Sequence, residues 1–263
     1  MKKVVTTGPF KVVKPTADIH EEPCIMERIG RRDSQLLLGE LFEVTGREGH
    51  FLKGRSKTDG YTGYMHHADL APAEDPATHF CAARLSSIRT APDIKAREVM
   101  PVSMMSRLTI DKNSLKNDFV YATDLGWIHA GHVAPLPSLK QRIDHVTEAL
   151  EYLGTQYRYG GRSAFGIDCS GMVQQALTRS GFRNVPRDAD MQQKSNRLGE
   201  LVHPDSCQRG DIVFFAQHVG IMIDRQRIIS ATEKFGMVVV EDLRDLAKRQ
   251  NGIVAVRRPP QPA

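Results

Sequence analysis

The chain has 263 residues, of which 40% are hydrophobic and 25% are charged, so it is long enough for one to three folded domains and is not a disordered polypeptide. The net charge is +5, but without a basic stripe and interleaved aromatic residues we expect no nucleic-acid partner. No apolar run reaches the ~20 residues of a membrane span, and the N-terminus lacks the apolar stretch of a signal peptide. We therefore expect a cytoplasmic protein, or a periplasmic or secreted one whose leader has been removed. The sequence leaves the oligomeric state open.

The four cysteines, Cys24, Cys81, Cys169 and Cys207, are far apart in the sequence and form no CxxC pair. This spacing is typical neither of a disulfide framework nor of a zinc site. We expect three of them to be buried thiols, and Cys169 to be different because of its neighbours. The sequence implies no metal ion and no organic cofactor.

An internal repeat organises the first half of the chain. Residues 63–72, "GYMHHADLAP", align without a gap with residues 126–135, "GWIHAGHVAP". Around each copy, short strand-like pieces such as "LFEVTG" and "DFVYAT" alternate with Gly, Asp and Lys. We therefore predict two small all-β, barrel-like modules, 1–73 and 74–137, followed by the linker "PLPS" at 135–138.

The pattern changes to α+β after this linker. We predict a helix that begins with Ser138 as N-cap, buries Ile143, Val146, Leu150 and Leu153, and stops at Gly154. A glycine-rich loop leads to a second helix in "CSGMVQQALTRSG", and five strand-like segments follow: "DIVFF", "HVGIMI", "RIISA", "MVVVEDL" and "GIVAVRR". Residues 138–263 thus form one α+β domain in this interpretation.

Cys169 lies in "GIDCSG", at the first turn of the second predicted helix. Free backbone N–H groups and the helix dipole favour a thiolate there, so we expect a lowered thiol pKa and a nucleophile. Such a nucleophile needs a base, and His218, at the start of a strand after "RGDIVFF", is the best candidate. The other histidines lie in the β modules, on the first helix or in a polar loop.

A third group should orient the imidazole ring of His218. If "HVGIMI" and "RIISA" form a hairpin centred on Asp224, Ser230 stands directly opposite His218 on the same face of the sheet. A serine hydroxyl accepts a hydrogen bond from an imidazole N–H, more weakly than a carboxylate does.

"YRYGG", "GIDCSGMVQQAL", "VPRDADMQ", "RGDIVFF" and "HVGIMI" together resemble the NlpC/p60 family of bacterial cell-wall cysteine peptidases. The resemblance covers about residues 140–258 and implies a papain-like α+β domain; the repeated modules resemble, more faintly, bacterial SH3 domains. It implies Cys169 as nucleophile, His218 as base and Tyr157 near the oxyanion. The family's third catalytic residue is usually His, sometimes Asn, Gln or Asp, so Ser230 is a departure.

Family members with this layout cut peptidoglycan stem peptides between γ-D-glutamate and a diamino acid, some of them only when the L-alanine amine is free. Asp168 and Ser170 would bind that amine, together with Tyr64, which resembles the family's tyrosine. The alternative for Tyr64 is a structural role as a residue of the β-barrel module. The remaining two expected substrate-binding residues also have alternatives: Glu40 is a second carboxylate or a solvated strand end, and Arg162 meets a substrate carboxylate or lies in a surface loop.

The leading hypothesis is a peptidase that acts on peptidoglycan-derived peptides in murein recycling or remodelling. The first alternative is a wall-peptide or partner-binding protein with a weakened catalytic site, which Ser230 favours. The second is transfer or deamidation by the same thiolate, because an amine can resolve an acyl-enzyme in place of water.

Overall fold

The structure is a computed structural model that describes residues 7–23, 32–140 and 143–260. It divides into two compact units, 1–138 and 139–263. Cys24 lies outside the described residues. None of the described helices is both long and apolar enough to cross a membrane.

The N-terminal unit is built from two successive groups of short strands. The first group comprises β1 (Gly8–Val12), β2 (Thr16–Ile19), β3 (Ser34–Leu37), β4 (Leu41–Glu48), β5 (Phe51–Ser56), β6 (Thr62–His66) and β7 (Leu70–Pro72). The second comprises β8 (His79–Cys81), β9 (Leu85–Arg89), β10 (Glu98–Ser103), β11 (Arg107–Leu108), β12 (Ile110–Lys116), β13 (Phe119–Ala122), β14 (Gly126–His129) and β15 (Val133–Pro135). Short 3-10 helices span His67–Asp69, Ala130–His132 and Leu136–Lys140.

Each group closes around a core of its own. The first forms a five-stranded sheet, β6-β5-β4-β1-β7, with the hairpin β2-β3, and the second forms β10-β9-β14-β13-β12 with β11-β8-β15. Leu38 of the first group packs into the core of the second, and its carbonyl accepts a 2.7 Å hydrogen bond from the Arg107 N–H. The two strand groups pack together as one compact unit. The division into two modules near residue 73 therefore remains a prediction.

The repeat marks the same local structure in both groups. A strand ends at His66 or His129, a 3-10 turn follows, and a short strand runs to a proline. Each histidine caps its turn, accepting from the N–H of Ala68 at 3.3 Å or of Gly131 at 3.1 Å. The repeated sequence therefore encodes a repeated strand-turn-strand.

Within residues 143–260, the C-terminal unit has four α-helices, a six-stranded antiparallel sheet and a separate pair of short strands. The helices are α1 (His145–Leu150), α2 (Cys169–Arg179), α3 (Ala189–Lys194) and α4 (Leu243–Arg249). The strands are β16 (Arg162–Ser163), β17 (Gly166–Ile167), β18 (Glu200–Val202), β19 (Ile212–Phe214), β20 (Val219–Met222), β21 (Arg227–Thr232), β22 (Met237–Asp242) and β23 (Ala255–Arg258), with 3-10 turns at Asn196–Leu198 and Pro204–Ser206. The sheet runs β18-β23-β19-β20-β21-β22, and β16 pairs with β17. The predicted α+β layout is confirmed.

The first predicted helix is wrong in its start and in three of its four apolar positions, while Val146 is buried as expected. Its N-cap is Asp144 rather than Ser138, since the Asp144 carboxylate accepts from the N–H groups of Val146 and Thr147. The helix buries His145 and Glu148, whereas Ile143, Leu150 and Leu153 are each more than a third exposed. Two polar contacts explain this: His145 Nε2 lies 2.7 Å from the Gly210 carbonyl, and Glu148 pairs with Arg179.

Candidate active site

The side chain of Cys169 is placed by the start of α2. Asp168 caps this helix, and its carboxylate accepts a 2.7 Å hydrogen bond from the Gly171 N–H. A Cβ atom at Gly171 would lie 2.4 Å from the carbonyl oxygen of Gly161. Only glycine permits this approach, so the glycine-rich loop is held directly against the helix end that carries the thiol.

The thiol of Cys169 is only 9% exposed, and this burial overturns the expected thiolate. Burial and the negative charge of Asp168 raise the pKa of Cys169 to about 12, although hydrogen bonds from the backbone N–H groups of Val219 and Ser170 lower it. The expectation of a lowered pKa is therefore wrong for the resting site. The thiol is protonated at neutral pH, and attack requires a base.

His218 precedes β20 and is followed by Val219, whose N–H points at the Cys169 sulfur. The His218 carbonyl accepts a 2.8 Å hydrogen bond from the Phe215 N–H, which closes a tight turn between β19 and β20. The ring is 6% exposed, and burial, with a contribution from the charge of Arg249, lowers the pKa of His218 to about 4. His218 is therefore neutral at pH 7, the form in which an imidazole accepts a proton.

The expected direct pairing of Ser230 with His218 is wrong. Strand β20 pairs with β21 through Ile221 to Ile229 and Met222 to Ile228, so the hairpin is centred on Arg225 and not on Asp224. Continued along both strands, this register puts Gly220, not His218, opposite Ser230.

A diagonal relation nevertheless brings His218 and Ser230 to the same face. A Cβ atom at Gly220 would lie 2.8 Å from the side chain of Ile228, its diagonal neighbour, and the same diagonal leads from His218 to Ser230. Ser230 is fully buried, and among the described residues neither its Oγ nor His218 Nε2 has a hydrogen-bond partner. The two atoms are therefore not bonded to each other.

Tyr157 lies at the edge of the same site. Burial raises its pKa, and the nearby groups Cys169, once ionised, Glu233 and Asp168 raise it further, so the phenol stays a donor. Its hydroxyl donates to Glu233 Oε1 at 3.2 Å, and its N–H donates to the Gly236 carbonyl at 2.7 Å. Glu233 was missed by the sequence reasoning, since it lies in a turn that carries no motif.

The carboxylate of Asp168 is surrounded by donors in this structure. It accepts from the N–H groups of Gly160 at 2.8 Å and Gly171 at 2.7 Å, and from Arg187 Nη2 at 2.7 Å and Nη1 at 3.1 Å. Ser170 Oγ donates to it at 3.4 Å and accepts from Arg187 Nη1 at 2.8 Å. Because a carboxylate has about four acceptor positions, a substrate amine would have to replace one of these donors. Arg187, in the quoted "VPRDADMQ", was also missed.

Arg162 is a correction to both expected roles. The residue is 1% exposed on β16, and its Nε donates to Gln174 Oε1 at 2.6 Å. Its carbonyl accepts from Gln175 Nε2 at 2.7 Å. Arg162 therefore ties the glycine-rich loop to α2 and is neither a surface-loop residue nor accessible to a substrate carboxylate.

Glu40 and Tyr64 belong to the N-terminal unit. Glu40 is 3% exposed, and its two carboxylate oxygens accept from the Leu37 N–H at 2.9 Å and the Thr58 hydroxyl at 3.1 Å, so the expected solvated strand end is wrong. Tyr64 is half-buried on β6, with the Lys53 ammonium 5.6 Å from its ring centre. A role of either residue in substrate binding stays a prediction.

Comparison with known proteins bears on both units. The NlpC/P60 family model matches residues 154–257, and the bacterial dipeptidyl-peptidase Sh3 domain model matches residues 28–70. A solved NlpC/P60 family protein from Bacillus cereus superposes with a TM-score of 0.80 at 19% identity, covering 96% of this chain and 99% of that one. This similarity shows the fold.

Three curated relatives are similar in sequence. Dipeptidyl-peptidase 6 of Lysinibacillus sphaericus is 27% identical over 59% of this chain and 61% of the relative. Murein DD-endopeptidase MepS/Murein LD-carboxypeptidase of Escherichia coli K12 is 31% identical over 38% and 54%. Gamma-D-glutamyl-L-lysine dipeptidyl-peptidase of Bacillus subtilis is 22% identical over 86% and 80%. The chain thus spans little more than half the length of the first two.

A cysteine at the start of a helix beside an antiparallel sheet, with a histidine at the entry to one strand, defines the papain-like class of α+β domain. The C-terminal unit is an NlpC/P60 peptidase domain, and the chain also carries a bacterial dipeptidyl-peptidase SH3 domain. The family and fold expected from the sequence are confirmed.

Proposed function

We propose that this chain is a cysteine peptidase that hydrolyses the γ-D-glutamyl–diamino acid bond of peptidoglycan stem peptides with a free N-terminal L-alanine. The observation that carries the proposal is the Cys169 thiol at the start of α2, facing the N–H of the residue that follows His218. Similarity to two relatives named as dipeptidyl-peptidases, one of them a γ-D-glutamyl-L-lysine dipeptidyl-peptidase, supports the bond.

The first chemical step is a proton transfer coupled to attack. Because both Cys169 and His218 are neutral at rest, His218 takes the thiol proton as the sulfur adds to the γ-carbonyl carbon of D-glutamate. The helix N-terminus and the Tyr157 hydroxyl stabilise the negative charge that develops on the carbonyl oxygen. Tyr157 then has to exchange its bond to Glu233 for one to the substrate.

Collapse of the tetrahedral intermediate breaks the C–N bond. The imidazolium of His218 gives its proton to the departing amine of the diamino acid, which leaves a γ-glutamyl thioester on Cys169. Neutral His218 then removes a proton from water, and the hydroxide adds to the thioester and releases the dipeptide and the thiol. Ser230 is the proposed third catalytic residue, and its diagonal position lets it accept from the imidazolium only weakly.

We propose that Asp168 and Ser170 bind the free L-alanine amine. A requirement for a free alanine amine limits the enzyme to peptides that have already been released from the glycan strand. In the intact strand the alanine nitrogen is acylated. This restriction is our reason for proposing cytoplasmic murein recycling, which cell fractionation of the tagged protein checks.

Mass spectrometry of the products tests the proposal. L-Ala-γ-D-Glu-diaminopimelate and its N-acetylated copy are each incubated with the parent protein, with Cys169→Ala and with Cys207→Ala. Cys207 is the matched control, because it is equally buried and its thiol pKa is also raised, to about 11. We expect only the parent and Cys207→Ala to release diaminopimelate, and only from the free-amine peptide. No release by the parent would contradict the proposal.

A binding protein with a weakened site is the second candidate function. It is favoured by the unbonded His218 Nε2 and Ser230 Oγ, which leave the imidazole without an orienting partner among the described residues. Peptide binding that Cys169→Ala leaves unchanged, with no turnover by the parent, would support it. Detectable hydrolysis by the parent would exclude it.

A further inference from the structure

Three histidines of the N-terminal unit form a cluster that the peptidase chemistry does not use. His50 lies in the tight turn between β4 and β5, His66 ends β6, and His67 begins the next 3-10 turn. One ring nitrogen of each lies within 4.8 Å of the nitrogens of the other two. His50 is exposed and the others are half-exposed, so solvent and ions reach these nitrogens.

The second strand group of the same unit has the corresponding turns, so it shows which of these histidines the fold requires. His129 caps its turn as His66 does, so this histidine has a structural task in both copies. The N–H of His67 donates to the His50 carbonyl at 2.9 Å, and in the second group the N–H of Ala130 donates to the Asp118 carbonyl at 2.8 Å.

The two hairpin turns match as well. Each has two residues between a closing pair, Glu48 with Phe51 in the first group and Lys116 with Phe119 in the second. In the second group, Ala130 and Asp118 therefore occupy the positions of His67 and His50. The imidazoles of His50 and His67 are additions to a fold that forms without them.

Hydrogen bonding prepares one of these rings as a metal ligand. His67 Nδ1 lies 2.9 Å from the His50 carbonyl oxygen, and donation to that acceptor leaves the lone pair on Nε2. Metal-binding histidines commonly hold their second nitrogen in this way. Asp69 ends the same 3-10 turn, so a carboxyl group lies two residues from His67 in the chain.

The spacing of the nitrogens requires a modest closure around an ion. A zinc ion with bonds of about 2.0–2.1 Å brings tetrahedral nitrogen ligands to roughly 3.4 Å from each other. The rings therefore move together by about an ångström, which side-chain rotation allows at an exposed turn. His66 gives up its 3.3 Å contact with Ala68 when its proton moves from Nε2 to Nδ1.

We propose that His50, His66 and His67 bind one divalent transition-metal ion that prefers imidazole, of which Zn²⁺ is the probe. Water or the Asp69 carboxylate completes the coordination. This site is independent of the proposed peptidase reaction and takes no part in it.

Titration calorimetry with Zn²⁺ alone tests the site. The variant His50→Asp/His67→Ala copies the residues of the second strand group, so its main-chain bonds should form. The control His132→Asn changes the corresponding corner of that group, where His132 Nδ1 lies 2.9 Å from Ser86 Oγ. We expect one ion bound by the parent and by the control, and affinity at least tenfold weaker in the double variant.

Equal Zn²⁺ affinity of the parent and the double variant would overturn the proposal, because the ion would then be bound elsewhere. Absence of binding by the parent at pH 7.5 would also overturn it. If the double variant fails to fold, histidine acylation is mapped by mass spectrometry in the parent. Zn²⁺ should protect His50, His66 and His67 at least tenfold more than His203, and equal acylation with and without the ion would refute the site.

Discussion

Ser230→Ala is expected to leave the protein as stable as before or to stabilise it. The hydroxyl is fully buried and has no hydrogen-bond partner among the described residues. A buried unpaired polar group costs about 1–3 kcal/mol, and alanine removes it while leaving only a small void. We therefore expect the free energy of unfolding to stay equal or to rise by about 1 kcal/mol.

The same substitution should lower activity only moderately. In the proposed mechanism His218 becomes an imidazolium during turnover, and its Nε2–H then needs an acceptor. A hydrogen bond to a charged group contributes about 1.5–3 kcal/mol when fully formed. Ser230 is not bonded to His218 at rest, so we assign it about 1.4 kcal/mol or less, which is a tenfold fall in kcat/KM at most. Ser230→Asn, whose amide oxygen reaches further, should raise kcat.

The assay combines diaminopimelate release with urea unfolding of the parent, Ser230→Ala and Ser230→Asn. A fall in kcat/KM of about a thousandfold in Ser230→Ala would show that the hydroxyl bonds strongly to the imidazolium. A loss of more than about 2 kcal/mol of stability would show that the hydroxyl has a partner. Either result would refute the reasoning.

The remaining predictions concern pH, a buried ion pair and a glycine. Because the folded-state pKa of His218 is lowered from 6.5 to about 4, kcat/KM should show no imidazole inflection between pH 5 and 7. The unfolded chain takes up the proton first, so about 3 kcal/mol of stability, complete above pH 6.5, is lost as the pH falls to 4. A kcat/KM inflection near pH 6.5, or a free energy of unfolding that stays constant from pH 6.5 to 4, would contradict this. Asp168→Asn should cost about 3 kcal/mol in urea unfolding, because it leaves the buried Arg187 guanidinium without its counter-ion, whereas a loss under about 1 kcal/mol would show that the pair is dispensable. Gly171→Ala should lower Tm sharply, because its Cβ meets a carbonyl oxygen at 2.4 Å, while Gly46→Ala, with its nearest atom at 4.0 Å, should not; equal Tm values would refute the close approach.

Local signals made the position of Cys169, the proposed nucleophile, and its helix predictable. Asp before the first helical residue, the helical apolar face and Gly181 just beyond the end define α2 from sequence alone, and the structure gives Asp168 as N-cap and a positive φ of 86° at Gly181. Strands β19–β22 and the repeat were predictable in the same way, since each depends on residues that are close in sequence.

The errors arise where distant residues decide. Helix α1 buries His145 because the Gly210 carbonyl, far along the chain, accepts from it, and an apolar pattern cannot show this. The observed hairpin register differs from the predicted one because Asp224 accepts from the N–H groups of Gln226 and Arg227, which places the turn centre one residue later. Cys169 lost its expected low pKa because the surrounding chain buries the helix end.

Hydrolysis in water enriched in oxygen-18 tests the central claim most directly. The parent protein and Cys169→Ala are incubated with L-Ala-γ-D-Glu-diaminopimelate in the presence of an excess amine acceptor, and the released dipeptide is analysed by mass spectrometry. The account predicts L-Ala-D-Glu with one oxygen-18 atom in its γ-carboxylate, formed by the parent alone. An unlabelled or amine-linked dipeptide, or equal product from Cys169→Ala, would contradict hydrolysis through a Cys169 thioester.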